Sequence, residues 1–243
     1  MVGGSGDDTY VVDSTSDTVT ESSSEGTDTI RSSVSFTASS NVENITLTGS
    51  SNINATGNSL NNTLTGNSGD NTIDGGSGND TMVGGSGDDT YVVDSTSDTV
   101  TESSSEGTDT IRSSVSFTTS SNVENLTLTG SSNINATGNS SDNTLTGNSG
   151  NNTMDGSGGT DTIVFADTKD NVITTFGFHH NNTSAIVIEG TYGTDTIMNC
   201  ENIEFSDGTV SVADLKTEYA SNYNPLFANS TPGEASFMMA DTY

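Results

Sequence analysis

The sequence predicts an all-β fold: a parallel β-solenoid of stacked coils, closed by a C-terminal cap that contains one short helix. Three observations lead to this prediction. A nine-residue unit recurs in strict phase, and it occurs twice back to back, as GGSGNDTMV and GGSGDDTYV, over Gly75–Val92. Residues 1–81 and 82–162 are nearly identical, in a register that never slips. Hydrophobic residues make up only 28% of the chain and Trp is absent, so burial has to be shared along a stack of repeats.

Each nonapeptide divides into a loop and a short strand. Glycines at positions one, two and four allow a six-residue loop to use backbone angles that other residues avoid, and to turn its carbonyls inward. Asp80 and Asp89 at position six add a carboxylate. Oxygen ligands of this kind suit a hard cation such as calcium. The last three residues form a strand whose middle residue, Met82 or Tyr91, points inward. A Gly/Asp-rich flexible linker is the alternative, and the strict phasing argues against it.

This unit, G-G-x-G-x-D-x-U-x with U a large apolar residue, is similar to the calcium-binding repeat of RTX, or haemolysin-type, proteins. The resemblance implies a right-handed parallel β-roll in which successive loops lie on alternate edges. It also implies that calcium lies between loops two units apart and draws on both position-six side chains. The implied pairs are Asp80 with Asn62, Asp89 with Asn71, and Asp161 with Asn143.

The resemblance implies several bound calcium ions. The candidate ligands are glycines at positions two and four together with the position-six side chains: Gly4, Gly6, Asp8, Asn62, Asn71, Gly76, Gly78, Asp80, Gly85, Gly87, Asp89, Asn143, Asn152 and Asp161. The regular runs contain no Asp–Asp pair on one edge, and Asn carries less charge than Asp. We therefore expect weak, cooperative sites that are strongest around Gly75–Val92.

The chain is predicted to consist of four parts. Residues 1–81 and 82–162 are solenoid repeats one and two, and residues 163–210 are a degenerate third repeat and cap. Residues 211–243 hold a helix over Val212–Ala220, with Ser211 as its N-cap, and a tail. The tail is either a type I secretion signal, as the resemblance implies, or a partly ordered extension. Within each repeat, the less regular segment between the nonapeptide runs is predicted to form longer coils.

The composition limits the possible binding partners of the protein and its cellular location. The formal charge of −29 excludes nucleic acid by its sign. Such charge with so few apolar residues favours disorder unless a cation completes the fold. The sequence shows neither a cleavable signal peptide nor an apolar run long enough to span a bilayer. Because extracellular calcium modules bind with dissociation constants of about 0.1–1 mM, we expect folding after export, in an extracellular or cell-surface location.

Three functions remain open from the sequence. The first is a secreted structural protein that assembles head to tail through its solenoid ends into a layer, matrix or filament. The second is a calcium-dependent folding and secretion module of a larger exported enzyme or adhesin. The third is an ice- or surface-binding solenoid, based on the Thr at position seven of every regular unit. Because Thr also favours solvent-facing strands in general, this third function is the least favoured.

Catalysis is not expected, since no nucleophile–base pair or phosphate-binding loop is apparent. His179-His180 is interpreted as a loop pair rather than a metal site. The single cysteine, Cys200, is expected to be a small buried apolar residue. The first nonapeptide, Gly3–Val11, begins as an ordinary inner unit. We therefore expect either that another segment precedes it or that the open end stacks on a partner.

Overall fold

The computed structural model describes residues 1–178 and 184–223. Within these residues the chain forms short strands, one 3-10 turn at Lys169–Asn171 and one helix, α1, at Val212–Tyr223. In chain order the strands are β1 (Thr9–Val12), β2 (Thr29–Ser32), β3 (Phe36–Thr37), β4 (Asn44–Leu47), β5 (Ala55–Thr56), β6 (Thr63–Thr65), β7 (Thr72–Asp74), β8 (Thr81–Val83), β9 (Thr90–Val93), β10 (Thr99–Thr101), β11 (Thr110–Ser113), β12 (Phe117–Thr118), β13 (Asn125–Leu128), β14 (Ala136–Thr137), β15 (Thr144–Thr146), β16 (Thr153–Asp155), β17 (Thr162–Val164), β18 (Ile173–Phe178), β19 (Ser184–Gly190), β20 (Gly193–Met198), β21 (Asn202–Phe205) and β22 (Gly208–Ser211).

The strands stack into a parallel β-solenoid, as the sequence predicts. The first sheet has the order β1-β2-β4-β6-β8-β10, and the second runs from β3 through β5, β7, β9, β11, β13, β15 and β17 to β21 and β22. The third has the order β12-β14-β16-β20-β19-β18. Even and odd strands of the regular runs alternate between faces, which means that the chain travels once around the solenoid for every two nonapeptides.

The core is a set of columns of the residues at position eight of each unit. Leu64 pairs in register with Met82, and Ile73 pairs with Tyr91. All the predicted inward residues are fully buried: Leu64, Ile73, Met82, Tyr91, Leu145, Met154 and Ile163. Each contributes about 1.5–3 kcal/mol by leaving water, and each contacts only the coils next to it.

The less regular segments are also coils of the solenoid, and two of them, from Thr9 to Thr29 and from Asn44 to Thr63, are longer than a regular coil as predicted, but one is shorter. Successive turns along the first sheet begin at Thr9, Thr29, Asn44, Thr63 and Thr81. The turn from Thr29 to Asn44 is therefore shorter than a regular coil of eighteen residues rather than longer. At its corner the Ser32 hydroxyl donates to the Val34 carbonyl and accepts from the Val34 amide. This compact corner replaces a six-residue loop.

Equivalent strands of the two copies lie on opposite faces of the solenoid. Thr9 to Thr81 spans four complete turns, and Thr90, the equivalent of Thr9, begins half a turn later. Consequently β1 belongs to the first sheet, whereas its counterpart β9 belongs to the second. Equivalent loops of the two copies therefore lie on opposite edges.

One face is interrupted in the second copy. Strand β10 ends the first sheet and β12 begins the third, so these two strands do not pair. A cleft of about 530 Å³ lies there, lined in part by Val100 and Phe117. A cleft of about 480 Å³ lies at the equivalent place in the first copy, beside Phe36.

The C-terminal end of the solenoid is capped. Strand β20 continues the stack by pairing with β16, and the antiparallel strands β19 and β18 cover its outer edge. Strand β22 covers β21 in the same way. Helix α1 comes next, and its Val212 and Leu215 are buried. The predicted N-cap is confirmed, because the Ser211 hydroxyl accepts the Asp214 amide at 3.1 Å. The helix extends three residues beyond the predicted end.

Candidate metal centres

The loops use the backbone angles that their glycines were predicted to provide. Gly76 and Gly78 have φ of 77° and 144°, and Gly85 and Gly87 have φ of 95° and 119°. In the first copy, Gly4 and Gly6 have φ of 99° and 112°. A Cβ on Gly76 would lie 2.4 Å from the carbonyl oxygen of Asn58 in the preceding turn. Both the conformation and the close stacking of turns therefore require glycine at this position.

The position-six residues form a ladder along each edge. The Asn62 amide donates to Oδ1 of Asp80 at 2.7 Å, and the Asp80 amide donates to Oδ1 of Asp98 at 2.9 Å. On the other edge, the Asn71 amide donates to Asp89 at 2.7 Å, and the Asp89 amide donates to Asp109 at 2.8 Å.

The same contact recurs at the other position-six residues. Asn143 donates to Asp161, Asn152 donates to Asp195, and Asp8 donates to Asp28, each at 2.8 Å. All three pairs named from the sequence, Asp80 with Asn62, Asp89 with Asn71 and Asp161 with Asn143, are thus neighbours along an edge. Their role as calcium ligands stays a prediction.

Every position-six aspartate of the regular units has one buried oxygen without a partner in the described part of the chain. These atoms are Oδ2 of Asp8, Asp80, Asp89 and Asp161. Buried polar atoms normally have a hydrogen-bond partner, and a hard cation is a chemically suitable partner for an unpaired carboxylate oxygen. In the loop of Asp80, a Cβ added to Gly75 would lie 2.4 Å from Oδ2, so the space beside this oxygen exists only because position one is glycine.

The position-six asparagines are satisfied by the protein itself. Oδ1 of Asn62 accepts the amide of Asn58 at 2.8 Å, while its Nδ2 donates to the carbonyls of Val42 and Glu43 at 3.0 and 3.1 Å. Asn71, Asn143 and Asn152 make equivalent contacts. The predicted ligand role of the four asparagines remains a prediction; their side-chain oxygens already accept one backbone amide each, which leaves one lone pair for a cation.

Sequence reasoning left several carboxylates outside the candidate set. Asp98 and Asp109 continue the two ladders, and Asp28 and Asp195 do so elsewhere. The signal was present: each is followed by Thr and an apolar residue, the same triplet that ends a regular loop. The irregular spacing around them concealed it.

Two three-carboxylate clusters stand out. In the second copy Asp89, Glu102 and Asp109 each place a carboxylate oxygen within 4.8 Å of the others, and all three side chains are buried. Asp8, Glu21 and Asp28 form the equivalent cluster in the first copy.

Without a bound cation, the buried carboxylates destabilise these loops. Burial, above all, raises the pKa of Asp89 and of Glu102 to about 7, and that of Asp80, Asp109 and Asp161 to about 6. Neighbouring carboxylates add to each of these shifts. Within residues 1–178 and 184–223, none of these five carboxylates has a Lys or Arg ion-pair partner. The Lys169–Glu218 pair, at 2.6 Å, belongs to the cap.

The other candidates from the sequence lie away from these clusters. The Thr residues at position seven stand in register, for example Thr63 with Thr81 and Thr72 with Thr90. Cys200 is only half-buried, and burial raises the pKa of its thiol to about 12. His179-His180 and the tail from residue 224 lie outside the described residues. In the described ranges no helix is long and apolar enough to cross a membrane.

Comparison with known families agrees with this geometry. The family model of the RTX calcium-binding nonapeptide repeat matches the chain in four copies, over residues 56–91 and 136–173. These ranges hold all the position-six residues of the regular units except Asp8. A search of curated proteins finds no significant match to the chain.

Proposed function

Since the chain carries RTX calcium-binding nonapeptide repeats, we propose that it is a secreted structural protein whose solenoid folds on extracellular calcium and then assembles head to tail. One observation supports calcium-dependent folding above the others. Each position-six aspartate of the regular units presents to its loop a buried oxygen that has no partner among residues 1–178 and 184–223. Without a cation, each such atom costs about 1–3 kcal/mol, a large fraction of the stability of a typical domain.

Export follows from the same chemistry. RTX repeats are typical of exported proteins. Sites with dissociation constants of about 0.1–1 mM stay largely empty in the cytosol and fill outside the cell. A chain that is unfolded before export and compact after it is suited to type I secretion. The proposed role is non-enzymatic.

Head-to-tail assembly is supported by the first coil. Strand β1 is the edge of its sheet. Val11 in this strand is 70% exposed, and Val2, which pairs with Thr20, is 78% exposed. An open parallel edge is a template for further pairing. A contact between unlike ends that does not close on itself produces a filament.

The alternative is that this chain acts as a calcium-dependent folding and secretion module of a larger exported enzyme or adhesin. In that case the open edge of the first coil would pair with a preceding coil of the same polypeptide. The in-register Thr columns favour a third, lesser candidate, an ice- or surface-binding face. Its test is thermal hysteresis of the calcium-loaded protein, lost when Thr72 and Thr81 become bulky charged residues.

Sedimentation velocity in calcium-free buffer and in about 5 mM calcium, above the expected dissociation constants, tests the proposal. An expanded monomer that becomes a large, calcium-dependent assembly is the expected result. A compact monomer supports the module instead. A sedimentation coefficient that calcium leaves unchanged would refute calcium-dependent folding itself.

A further inference from the structure

Two departures from the repeat occur together at the end of two of the three runs of regular loops, the runs that end at Val11 and at Val92. Position eight is Leu, Ile or Met in the other regular units but Tyr at Tyr10 and Tyr91. One coil beyond Gly84, where the column through Gly66 and Gly84 would continue with glycine, the chain carries Glu102. Glu21 stands in the same relation to Gly3.

The structure brings these departures to one point. A Cβ on Gly84 would lie 2.2 Å from Oδ2 of Asp89, 2.2 Å from the Tyr91 hydroxyl and 2.4 Å from Oε1 of Glu102. Around Gly3, the same three atoms of Asp8, Tyr10 and Glu21 lie at 2.3, 2.2 and 2.5 Å. Two sets of oxygens in the same arrangement, on opposite edges of the solenoid, show that the arrangement results from the sequence of the copy and not from one local contact.

Internal hydrogen bonds do not satisfy these oxygens. The Tyr91 hydroxyl donates to Oε1 of Glu102, which leaves Oε2 of Glu102 and Oδ2 of Asp89 buried without a partner. The two side chains are 7% and 1% exposed. In the first copy, the Tyr10 hydroxyl and both carboxylate oxygens of Glu21 are unpartnered.

Asp109 completes the set. Its Oδ1 accepts the Asp89 amide at 2.8 Å, and its own amide donates to Glu124 at 2.8 Å. The carboxylate is therefore held in place before any ion arrives. Asp89, Glu102 and Asp109 together carry three formal negative charges, with ligand atoms within 4.8 Å of one another.

We propose that Asp89, Glu102 and Asp109, and equally Asp8, Glu21 and Asp28, each bind one Ca²⁺ ion in a three-carboxylate site that fills before the nonapeptide loops. The inference rests on the proposed calcium-dependent folding and adds the order of filling and a ligand, Glu102, that the repeat motif lacks. Calcium affinity rises with the number of charged ligands and the rigidity of the site, and an Asp–Asn loop offers one carboxylate where this site offers three. Ion binding here would stabilise the start of the irregular coils in each copy.

Terbium provides a direct readout, because Tb³⁺ replaces Ca²⁺ at oxygen sites and emits when a nearby tyrosine is excited. The chain has no Trp, and Tyr10 and Tyr91 are the tyrosines at the two clusters. Titrating calcium-free protein with Tb³⁺, while equilibrium dialysis counts bound ions, should give tyrosine-excited emission that is complete after two ions per chain. Emission that grows in proportion to all bound ions, or that appears only in the last ones, overturns the proposal.

A double variant, Glu21→Gln with Glu102→Gln, should lose the two tight Ca²⁺ ions and lower the affinity at those sites about tenfold or more, as expected when a hard-cation site loses charge. Glu189→Gln with Glu204→Gln is the matched control, since it removes the same charge from exposed strand positions in the cap. An unchanged count of tight ions in the first variant refutes the site. If calcium does not fold even the native chain, the proposed function is refuted. If calcium folds the native chain but the variant still binds the two tight ions, only this inference is refuted.

A second double variant keeps the proposal testable if the first one does not fold. Tyr10→Leu with Tyr91→Leu keeps all six carboxylates and places in the core a residue that it already holds at Leu64. Two tight ions should remain while the tyrosine-excited emission disappears. Emission that persists would place the ions elsewhere and refute the assignment.

Discussion

The double substitution Asp80→Asn with Asp89→Asn should stabilise the calcium-free protein and lose most or all of that gain when calcium is present. The protein itself shows what Asn does at position six: the Asn62 side-chain oxygen accepts the Asn58 amide of its own loop, and the side-chain amide donates to the carbonyls of Val42 and Glu43. In calcium-free buffer the substitution removes two unpartnered buried oxygens. At about 1–3 kcal/mol for each, the variant should be more stable by about 2–6 kcal/mol.

In saturating calcium this gain is offset. An ion bound at a hundred times its dissociation constant stabilises the fold by about 2.7 kcal/mol, so losing two such ions costs about 5 kcal/mol against the gain of about 2–6 kcal/mol. Urea unfolding followed by far-ultraviolet circular dichroism, in calcium-free buffer and in calcium, measures both values. Asp88→Asn is the control, since Asp88 is exposed and the Asn oxygen can still accept the Thr108 amide. An equal change in stability in the two buffers would show that Asp80 and Asp89 are not calcium ligands.

Three further outcomes are expected. In calcium-free buffer the raised pKa values of Asp89 and Glu102, about 7 in the fold against 3.8 and 4.5, mean that the fold holds protons more tightly than the unfolded chain. This stabilisation is complete below about pH 4 and is lost as the pH rises through 7, so the melting temperature should be higher at pH 5 than at pH 8; the reverse order contradicts the burial of these carboxylates. Gly85→Ala should cost more than Gly4→Ala in urea unfolding, because both have positive φ but only the Gly85 Cβ meets backbone, 2.5 Å from the Asn67 carbonyl oxygen; equal losses would mean that strain alone matters. Ile73→Ala should cost about 2–5 kcal/mol by the same assay, the range for a buried aliphatic side chain, and a loss below about 1 kcal/mol would show that the coil collapses around the gap.

The amino-acid sequence by itself determined the repeat unit and most of its consequences for the fold. Strict nonapeptide phasing predicted the parallel solenoid, because position eight is the only inward position of each three-residue strand and must be apolar in every regular unit. It placed Leu64, Ile73 and Met82 in the core and Gly76 and Gly85 in the strained loop positions, while the resemblance to RTX repeats implied that Asp80 lies beside Asn62. The cap signal Ser211–Asp214 located the helix start. All of these depend on interactions within one unit or between units at a constant spacing.

Only the tertiary structure decided which carboxylates meet across the irregular coils. The turns after β1 and β9 span twenty residues, so Asp109 falls beside Asp89. Counting by nine cannot locate this partner, because the two extra residues shift the phase, and only the stacking of strands restores it. Glu102 lies two units after Gly84, but only the structure shows that its carboxylate meets those of Asp89 and Asp109. The structure also placed equivalent strands of the two copies on opposite faces, since 81 residues make four and a half turns. Local sequence determines the form of each loop, whereas the contacts between coils determine which charges share a site.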